Sequence, residues 1–163
     1  CKSEEPEVRG VALDPNQVQV SVINIPDIPG SAALICRSFA NAGICLDTIV
    51  QSERKINSDG KVISFTLKKE ERKNADAALL PLLKMWPNAY IEDGSSIARV
   101  SAVGEGMPTS IGTAGRMFRA LAKAGINIKM IATSEIRTTC IVANEDGTKA
   151  LKAVHEFFKL NKK

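Results

Sequence analysis

The residues best suited to bind a ligand lie in the loop 25–32, which has the sequence Ile-Pro-Asp-Ile-Pro-Gly-Ser-Ala. Pro29 fixes its own φ, and Gly30 lets a ligand approach the backbone closely. If a helix begins here, the N–H groups of its first turn lack intrahelical acceptors and attract a carboxylate. Asp27, just upstream, can receive an ammonium group. Together these features describe a receptor for a zwitterionic amino acid. The alternative, favoured on the loop alone, is that Asp27 and Pro29 only shape a tight turn.

A second loop, 104–114, invites comparison with loops that hold the phosphates of nucleotides. It follows a strand-like run and precedes a helix-like run. Its sequence, GEGMPTSIGTA, matches neither G-x-G-x-x-G nor the G-K-[ST] ending of a P-loop. The sequence therefore gives little support to phosphate binding at this loop.

Catalytic and metal-binding groups are scarce elsewhere. His155 is the only histidine, and it falls off the apolar stripe of its predicted helix, so we expect it to face solvent. The four cysteines form no C-x-x-C pair, which argues against a zinc site and against a disulfide scaffold. Cys36, Cys45 and Cys140 stand in apolar stretches, where a free cysteine behaves as a small hydrophobic residue. No nucleophile has an adjacent base, so we expect this chain to be non-catalytic and to hold no metal or cofactor.

Composition and charge exclude several classes of protein. Of 163 residues, 44% are hydrophobic and 25% are charged, which is typical of a globular domain. No apolar run approaches the ~20 residues of a membrane-spanning helix. The net charge is only +4, and its basic groups indicate solvated surface rather than a nucleic-acid track. The lack of an initiator Met suggests a fragment or processed product. Free cysteines without a signal peptide predict the cytoplasm, or the plastid stroma if the source is a plant.

An internal repeat organises the chain. Shifted by 82 residues, the sequence aligns with itself without a gap, and 10 of the 24 positions from Gly30 to Glu53 are identical. One structural unit of about 80 residues therefore occurs twice.

Each copy predicts the same order of elements. Alternating hydrophobicity predicts a first strand over 18–23 or 98–103. A helix follows, which Gly43 or Gly125 is placed to end. Its apolar positions are Ala32, Ile35, Cys36, Phe39 and Ala40 in the first copy and Ala114, Met117, Phe118, Leu121 and Ala122 in the second. Two more strands are predicted over 44–51 and 61–67, or over 126–133 and 137–142. The second helix of the first copy is predicted over 74–86, with the apolar face Leu79, Leu80, Leu82, Leu83 and Trp86.

The strand count predicts a nested arrangement. The first copy has a fourth strand over 89–92, whereas the second copy ends after its last helix. We expect the spare segment 8–13 to supply the missing strand. The predicted class is α+β, with two ferredoxin-like β-α-β-β-α-β domains whose antiparallel sheets carry helices on one face. The first domain, 16–93, is inserted in the second, which comprises 8–15 and 96–160.

Five motifs together resemble the C-terminal regulatory region of aspartate kinases, a tandem pair of ACT domains. They are Val11-Ala-Leu-Asp14, Asp27-Ile-Pro-Gly30, Val103-Gly-Glu-Gly-Met107, Ala124-Gly-Ile-Asn-Ile128 and Thr133-Ser-Glu-Ile136. The resemblance covers about 8–160. It implies feedback inhibition by lysine, threonine or both, bound at interfaces of a homodimer in which the first ACT unit of one chain pairs with the second of the other. It also implies a kinase domain or catalytic subunit as partner, which would carry the ATP and Mg that this sequence has no site for.

Carried over by position, the resemblance implies two effector pockets. The first would combine Asp27, Gly30, Ser31, Ala32 and Gln51 with Asn127, Ile128 and Ser134 of the partner chain. The second would use Gly112, Thr113, Ala114, Cys45, Leu46, Asp47 and Thr133. The family often has Pro where Ile111 stands and Asn where Cys45 stands, and a thiol is a poor substitute for an amide in hydrogen bonding. We therefore expect the first pocket to be competent and the second to be weaker or altered.

Three other functions are compatible with the same fold class. An enzyme like acylphosphatase would need an Arg in an anion-binding loop, whereas Arg37 and Arg119 lie inside the predicted helices. An RNA-binding module would need aromatic residues on the central strands, where only Phe65 is predicted. An ACT-type amino-acid sensor of another biosynthetic enzyme stays open.

Overall fold

The structure is a computed structural model that describes residues 8–46, 48–53, 60–104, 111–134 and 136–160. The chain forms two compact units. The central unit is Gln17–Ser96, and the outer unit combines the residues up to Asn16 with those from Ile97 onwards. Their elements are β1 (Val8–Pro26), α1 (Ser31–Asn41), β2 (Thr48–Glu53), β3 (Gly60–Lys68), α2 (Arg72–Met85), β4 (Tyr90–Gly104), α3 (Ile111–Lys123), β5 (Met130–Thr133), β6 (Arg137–Ala143) and α4 (Gly147–Leu160).

The predicted α+β class is confirmed. The strand order is β2-β3-β1-β4 in the central unit and β1-β4-β6-β5 in the outer unit. The β1/β3, β2/β3, β4/β6 and β5/β6 pairs are antiparallel. Both orders are those of a β-α-β-β-α-β unit, with two helices each. The outer unit obtains its fourth strand from the first half of β1.

Contacts within the outer unit show how the N-terminal strand belongs to it. Val11 and Leu13 pack against the hydrophobic core of that unit. The Asp14 carboxylate accepts a 2.9 Å hydrogen bond from Arg99, and the Asn16 backbone N–H donates to the side-chain oxygen of Asn144 at 2.9 Å. Apolar packing and polar bonds therefore both tie this strand to residues about 85–130 positions later.

Strands β1 and β4 are each one continuous element, whereas the sequence predicted two separate strands in each region. β1 has 19 residues and joins the predicted strands 8–13 and 18–23. β4 has 15 residues and joins 89–92 to 98–103. Polar residues interrupt the alternation at the junctions, but the backbone stays extended because each strand passes directly from one unit to the other.

The helices α1 and α3 end in the same way, at the predicted glycines. Gly43 has φ 70° and Gly125 has φ 73°, the left-handed region that glycine adopts most readily. After α1, Ile44 N–H donates to Phe39 and Gly43 N–H to Ala40, which is a Schellman motif. The same two bonds close α3. Since the following residues complete these caps, β2 and β5 begin at Thr48 and Met130, four residues later than predicted.

Each unit has its own core. In the central unit, Phe39 of α1 packs edge-to-face on Phe65 of β3, with ring centroids 4.8 Å apart. In the outer unit, Met117 and Leu121 of α3 pack with strand residues that include Cys140. No helix in the described ranges is long and apolar enough to cross a membrane.

The predicted apolar stripes are partly wrong. In α1 the buried residues are Ser31, Ile35 and Phe39, spaced four apart. The predicted apolar positions Ala32, Cys36 and Ala40 are exposed, as is Ala122 of α3. Leu80 is 53% exposed on α2. These positions are sequence neighbours of buried residues, and one residue turns the side chain about 100° around a helix.

Candidate functional site

A bulge in β1 places the start of the loop 25–32. The β1/β3 register is regular from Gln17 to Val22 and then shifts, so that Ile25 lies opposite Lys61. Asn24, inside the shift, has φ 58°. A Cβ on Gly60 would come within 2.6 Å of the Asn24 Cα, so this close approach requires glycine. Because a bulge bends its strand, it sets the direction in which the loop leaves the sheet.

The first turn of α1 keeps backbone donors available. Gly30, with φ 97°, precedes the helix and offers no capping side chain. The Ser31 hydroxyl donates to the Pro26 carbonyl at 2.8 Å, and the Ser31 N–H makes a long 3.4 Å bond to Ile28. The first helical bond runs from the Leu34 N–H to the Gly30 carbonyl. The N–H groups of Ala32 and Ala33 therefore have no helical acceptor, which suits them to bind an anion.

The loop, the helix start and strands β2 and β3 enclose a cavity of about 200 Å³, which we call the Asp27 pocket. It is lined by Ile25, Pro26, Asp27, Ile28, Gly30, Ser31, Ala32, Gln51, Lys61 and Ile63. All ten residues belong to the central unit. The volume is below the ~300–1,000 Å³ of pockets for drug-sized ligands, so it suits a smaller molecule.

Asp27 is already paired within this pocket. One of its carboxylate oxygens lies 2.7 Å from the Lys61 Nζ. The Asp27 side chain is 57% exposed and that of Lys61 is 28% exposed. An ion pair this accessible contributes at most about 1 kcal/mol to stability, so a ligand can compete with it. The sequence predicted a carboxylate open to an incoming ammonium, whereas the structure shows the ammonium of Lys61 beside it.

Five predicted residues of the first pocket therefore line one cavity, namely Asp27, Gly30, Ser31, Ala32 and Gln51. The other five lining residues were not predicted from the sequence. Lys61 and Ile63 reach the pocket because they alternate along β3 and because the bulge fixes its register with β1. The sequence carries no direct signal for this register. Ile25, Pro26 and Ile28 belong to the loop already singled out, so their closeness to Asp27 was a usable signal.

The residues expected from the partner chain lie in the outer unit. Asn127 is exposed and Ile128 half-buried, both between α3 and β5. Ser134 is exposed after β5, and its N–H donates to the Arg137 carbonyl at 2.7 Å. Their part in an effector pocket stays a prediction.

The residues of the second predicted pocket are divided between the units. Gly112, Thr113 and Ala114 form the first turn of α3, and Thr133 ends β5. Thr113 is fully buried, and no described residue bonds its hydroxyl. Cys45 is exposed and Leu46 half-buried in the central unit, between α1 and β2. Asp47 and the loop before Ile111 lie outside the described residues, so this pocket also stays a prediction.

The histidine, the buried cysteine and the aromatic residue considered in the sequence lie outside the Asp27 pocket. His155 is exposed on α4, as predicted. Cys140 is buried, and burial raises the pKa of its thiol to about 12, which keeps it protonated and unreactive near neutral pH. Phe65 is fully buried against Phe39. A buried ring offers no face for a nucleic-acid base, which argues against the RNA-binding alternative.

Comparison with known proteins identifies the family. A model of the ACT domain matches residues 100–158. The regulatory subunit of aspartate kinase from Thermus flavus is 39% identical in sequence, has a TM-score of 0.81, and aligns over 93% of this chain and 99% of its own. This chain belongs to the family of aspartate kinase regulatory subunits. The resemblance carried by the five sequence motifs is therefore confirmed.

Longer aspartate kinases contain a region that is similar to this chain. Aspartate kinase from Synechocystis is 43% identical, with a TM-score of 0.86 over 97% of this chain and 28% of its own. The aspartokinase of Thermus thermophilus is 40% identical over 156 residues, which cover 95% of this chain and 38% of that protein. This chain thus spans less than two fifths of the length of these curated relatives.

Proposed function

We propose that this chain senses end-product amino acids, lysine, threonine or both, and transmits feedback inhibition to aspartate kinase. The observation that carries the proposal is the Asp27 pocket. It combines a carboxylate, the donors at the start of α1, and apolar walls in a volume of about 200 Å³. An effector carboxylate would bind the Ala32 and Ala33 N–H groups, and its α-ammonium would bind Asp27.

The proposed sensor acts as a homodimer. The first ACT domain, 16–93, would pair with the second domain of the partner, 8–15 plus 96–160, so that Asn127, Ile128 and Ser134 complete the Asp27 pocket. Edge strands support this arrangement, because β2 and β5 end the two strand orders and carry exposed apolar residues. Ile49 is 52% exposed and Ile131 is 46% exposed. The weaker second pocket would form around Gly112–Ala114.

The remaining proposals concern the parent enzyme. Its kinase domain or catalytic subunit would phosphorylate aspartate with ATP and Mg, and effector binding here would lower that activity. A coupling of about 1–3 kcal/mol between the sites is enough. We propose a reducing compartment such as the cytoplasm, supported by the free thiols of Cys36, Cys45 and Cys140.

Calorimetric titration of the chain with L-lysine and with L-threonine, combined with its mass in solution in each state, tests the proposal. Saturable binding of either amino acid to a dimer is expected. If neither amino acid gives heat while the chain is dimeric, the proposed sensor function is wrong for these two effectors, which would favour a sensor of another pathway.

The variant Asp27→Ala tests the site itself. It removes the proposed charge-assisted bond to the effector ammonium, so we expect affinity to fall about 10- to 150-fold. Glu70→Ala is a matched control, because Glu70 is an exposed acid of the same unit outside the pocket. Equal affinity in the two variants would show that the effector binds elsewhere.

A further inference from the structure

The Ser31 side chain links the end of β1 directly to the start of α1. It is only 7% exposed, and its hydroxyl donates a 2.8 Å hydrogen bond to the Pro26 carbonyl. Pro26 lies opposite Gly60 in the β1/β3 register, so the sheet fixes the position of this carbonyl. The hydrogen bond therefore joins the helix to the sheet across the loop residues 27–30.

This hydrogen bond lies between the two groups that would bind an effector. Asp27, the proposed acceptor for the α-ammonium, follows Pro26 directly, and Ala32, a proposed donor to the carboxylate, follows Ser31 directly. The bond thus ties together the chain positions that carry the acceptor and the donor. The Lys61 Nζ lies 2.7 Å from the Asp27 carboxylate and holds that side chain from β3. Contacts of the protein itself therefore set the separation between the acceptor and the donor.

The same bond keeps the Ser31 hydroxyl from donating to an effector. A hydroxyl has a single proton, and the Pro26 carbonyl accepts it. The loop is also stiff, because Pro26 and Pro29 have fixed φ angles. A stiff loop with a closing bond holds its ends at one separation, whereas the ends can move apart when that bond is lost. Ser31 is thus suited to act on an effector through the groups beside it.

We propose that Ser31 is a positioning residue that matches the Asp27 pocket to α-amino acids. In an α-amino acid a single carbon atom lies between the ammonium and the carboxylate, whereas a β-amino acid has two. By fixing the separation of Asp27 from the Ala32 donor, the Ser31 hydroxyl favours the shorter of these two spacings. This inference rests on the proposed amino-acid-binding function, and it defines the ligand class by its backbone rather than by its side chain.

Pairs of isomers provide the test, because they differ in spacing and share their chemical groups. L-β-Homoserine is the β-amino-acid isomer of L-threonine, and L-β-lysine is that of L-lysine. In calorimetric titrations of the full chain, the α isomer should bind about 10- to 150-fold more tightly, the effect of one misplaced charge-assisted bond. Ser31→Ala should narrow this ratio about two- to tenfold, the contribution of one neutral hydrogen bond.

Two variants serve as controls. Ser31→Thr keeps the hydroxyl, as in Thr113 at the equivalent position of the second copy, and should keep the ratio. Ser38→Ala removes a hydroxyl from the same helix, outside the pocket, and should leave the ratio unchanged. A Ser31→Ala protein with the wild-type ratio, even at lower affinity for both isomers, overturns the inference and leaves the proposed function intact.

A second variant keeps the test decisive if Ser31→Ala fails to fold. Ser31→Cys nearly preserves the size of the side chain, and its weakly donating thiol should narrow the ratio in the same direction. Wild-type protein that binds an α-amino acid and its β isomer with equal affinity also overturns the inference. Wild-type protein that binds none of the four ligands overturns the proposed function instead.

Discussion

Cys140 shows how strongly the fold can alter one residue. Its side chain is fully buried on β6, whereas Cys36 and Cys45 are exposed. Burial in apolar surroundings disfavours the thiolate and raises the pKa of the Cys140 thiol from 9.0 to about 12. Similar sequence contexts thus lead to one inert thiol and two accessible ones.

The raised pKa predicts an alkaline loss of stability. Above about pH 9 the unfolded thiol ionises while folded Cys140 stays protonated, so the unfolded state binds fewer protons. The contribution of Cys140 is complete below pH 9 and is lost as the pH rises towards 12. Between pH 8 and 10.5 we expect a loss of about 2 kcal/mol in the free energy of unfolding, measured by urea titration. Cys140→Ala should lose less over the same interval, and an equal loss would contradict the assignment.

Two glycines in helices of the outer unit should respond oppositely to substitution by alanine. Gly147, at the start of α4, lies against β4 and β1, so a Cβ there would sit 2.9 Å from the Ala98 Cβ and 3.3 Å from Leu13. Gly115, inside α3, has nothing within 4 Å of such a Cβ. A side chain at position 147 would therefore crowd Ala98 and Leu13, whereas position 115 has room for one.

Thermal and urea unfolding of Gly147→Ala and Gly115→Ala test this difference. Gly115→Ala should raise the free energy of unfolding by about 0.5–1 kcal/mol, because alanine loses less backbone entropy in a helix. Gly147→Ala should lower it by about 1–3 kcal/mol, since the core must shift to admit the methyl group. If both substitutions stabilise the protein, the start of α4 can move away from Ala98 and Leu13 at little cost in free energy.

Features of the fold that depend on local sequence signals are predictable, whereas features that depend on strand pairing are not. The 82-residue repeat predicts two equal units, and the glycines after α1 and α3 predict their caps, because these signals are local. The bulge at Asn24 depends on pairing with β3, so neither it nor the placement of Lys61 in the pocket is readable from either segment alone. The spacing of apolar residues predicts buried positions for Cys36 and Leu80, which are exposed. This spacing cannot distinguish two neighbouring residues that are both apolar, although their side chains point about 100° apart around the helix.

Residues that are close in sequence on β1 contribute to the cores of different units. Leu13 and Val18 are five positions apart on β1, yet Leu13 packs against the outer core and Val18 against the central core. Leu13→Ala should lower the free energy of unfolding of the outer unit by about 1–2 kcal/mol, and Val18→Ala should lower that of the central unit by about the same amount.

Native-state hydrogen exchange of Leu13→Ala and Val18→Ala checks this assignment. Leu13→Ala should accelerate amide exchange in α3 and β6, and Val18→Ala in α1 and β3. If both variants accelerate exchange in the same elements, the two units unfold as one.

The proposed homodimer predicts that edge strands, rather than apolar exposure in general, hold two chains together. Ile49 on β2 and Leu80 on α2 have nearly equal exposure, 52% and 53%. Ile49→Lys should raise the dimer dissociation constant at least about tenfold, because a charge on an edge strand opposes strand addition. Leu80→Lys should leave it unchanged in sedimentation experiments. Equal weakening by both variants would contradict edge pairing.

The division of β1 between two units also dictates an order of events on the ribosome. The first half of β1 emerges before the central unit, and its neighbours in β4 and α4 follow only after the 80 residues from Gln17 to Ser96. At roughly 5–20 residues per second, translation of that stretch takes about 4–16 s. The central unit can fold during this interval, while the first half of β1 stays unpaired until its neighbours in the outer unit have been synthesised.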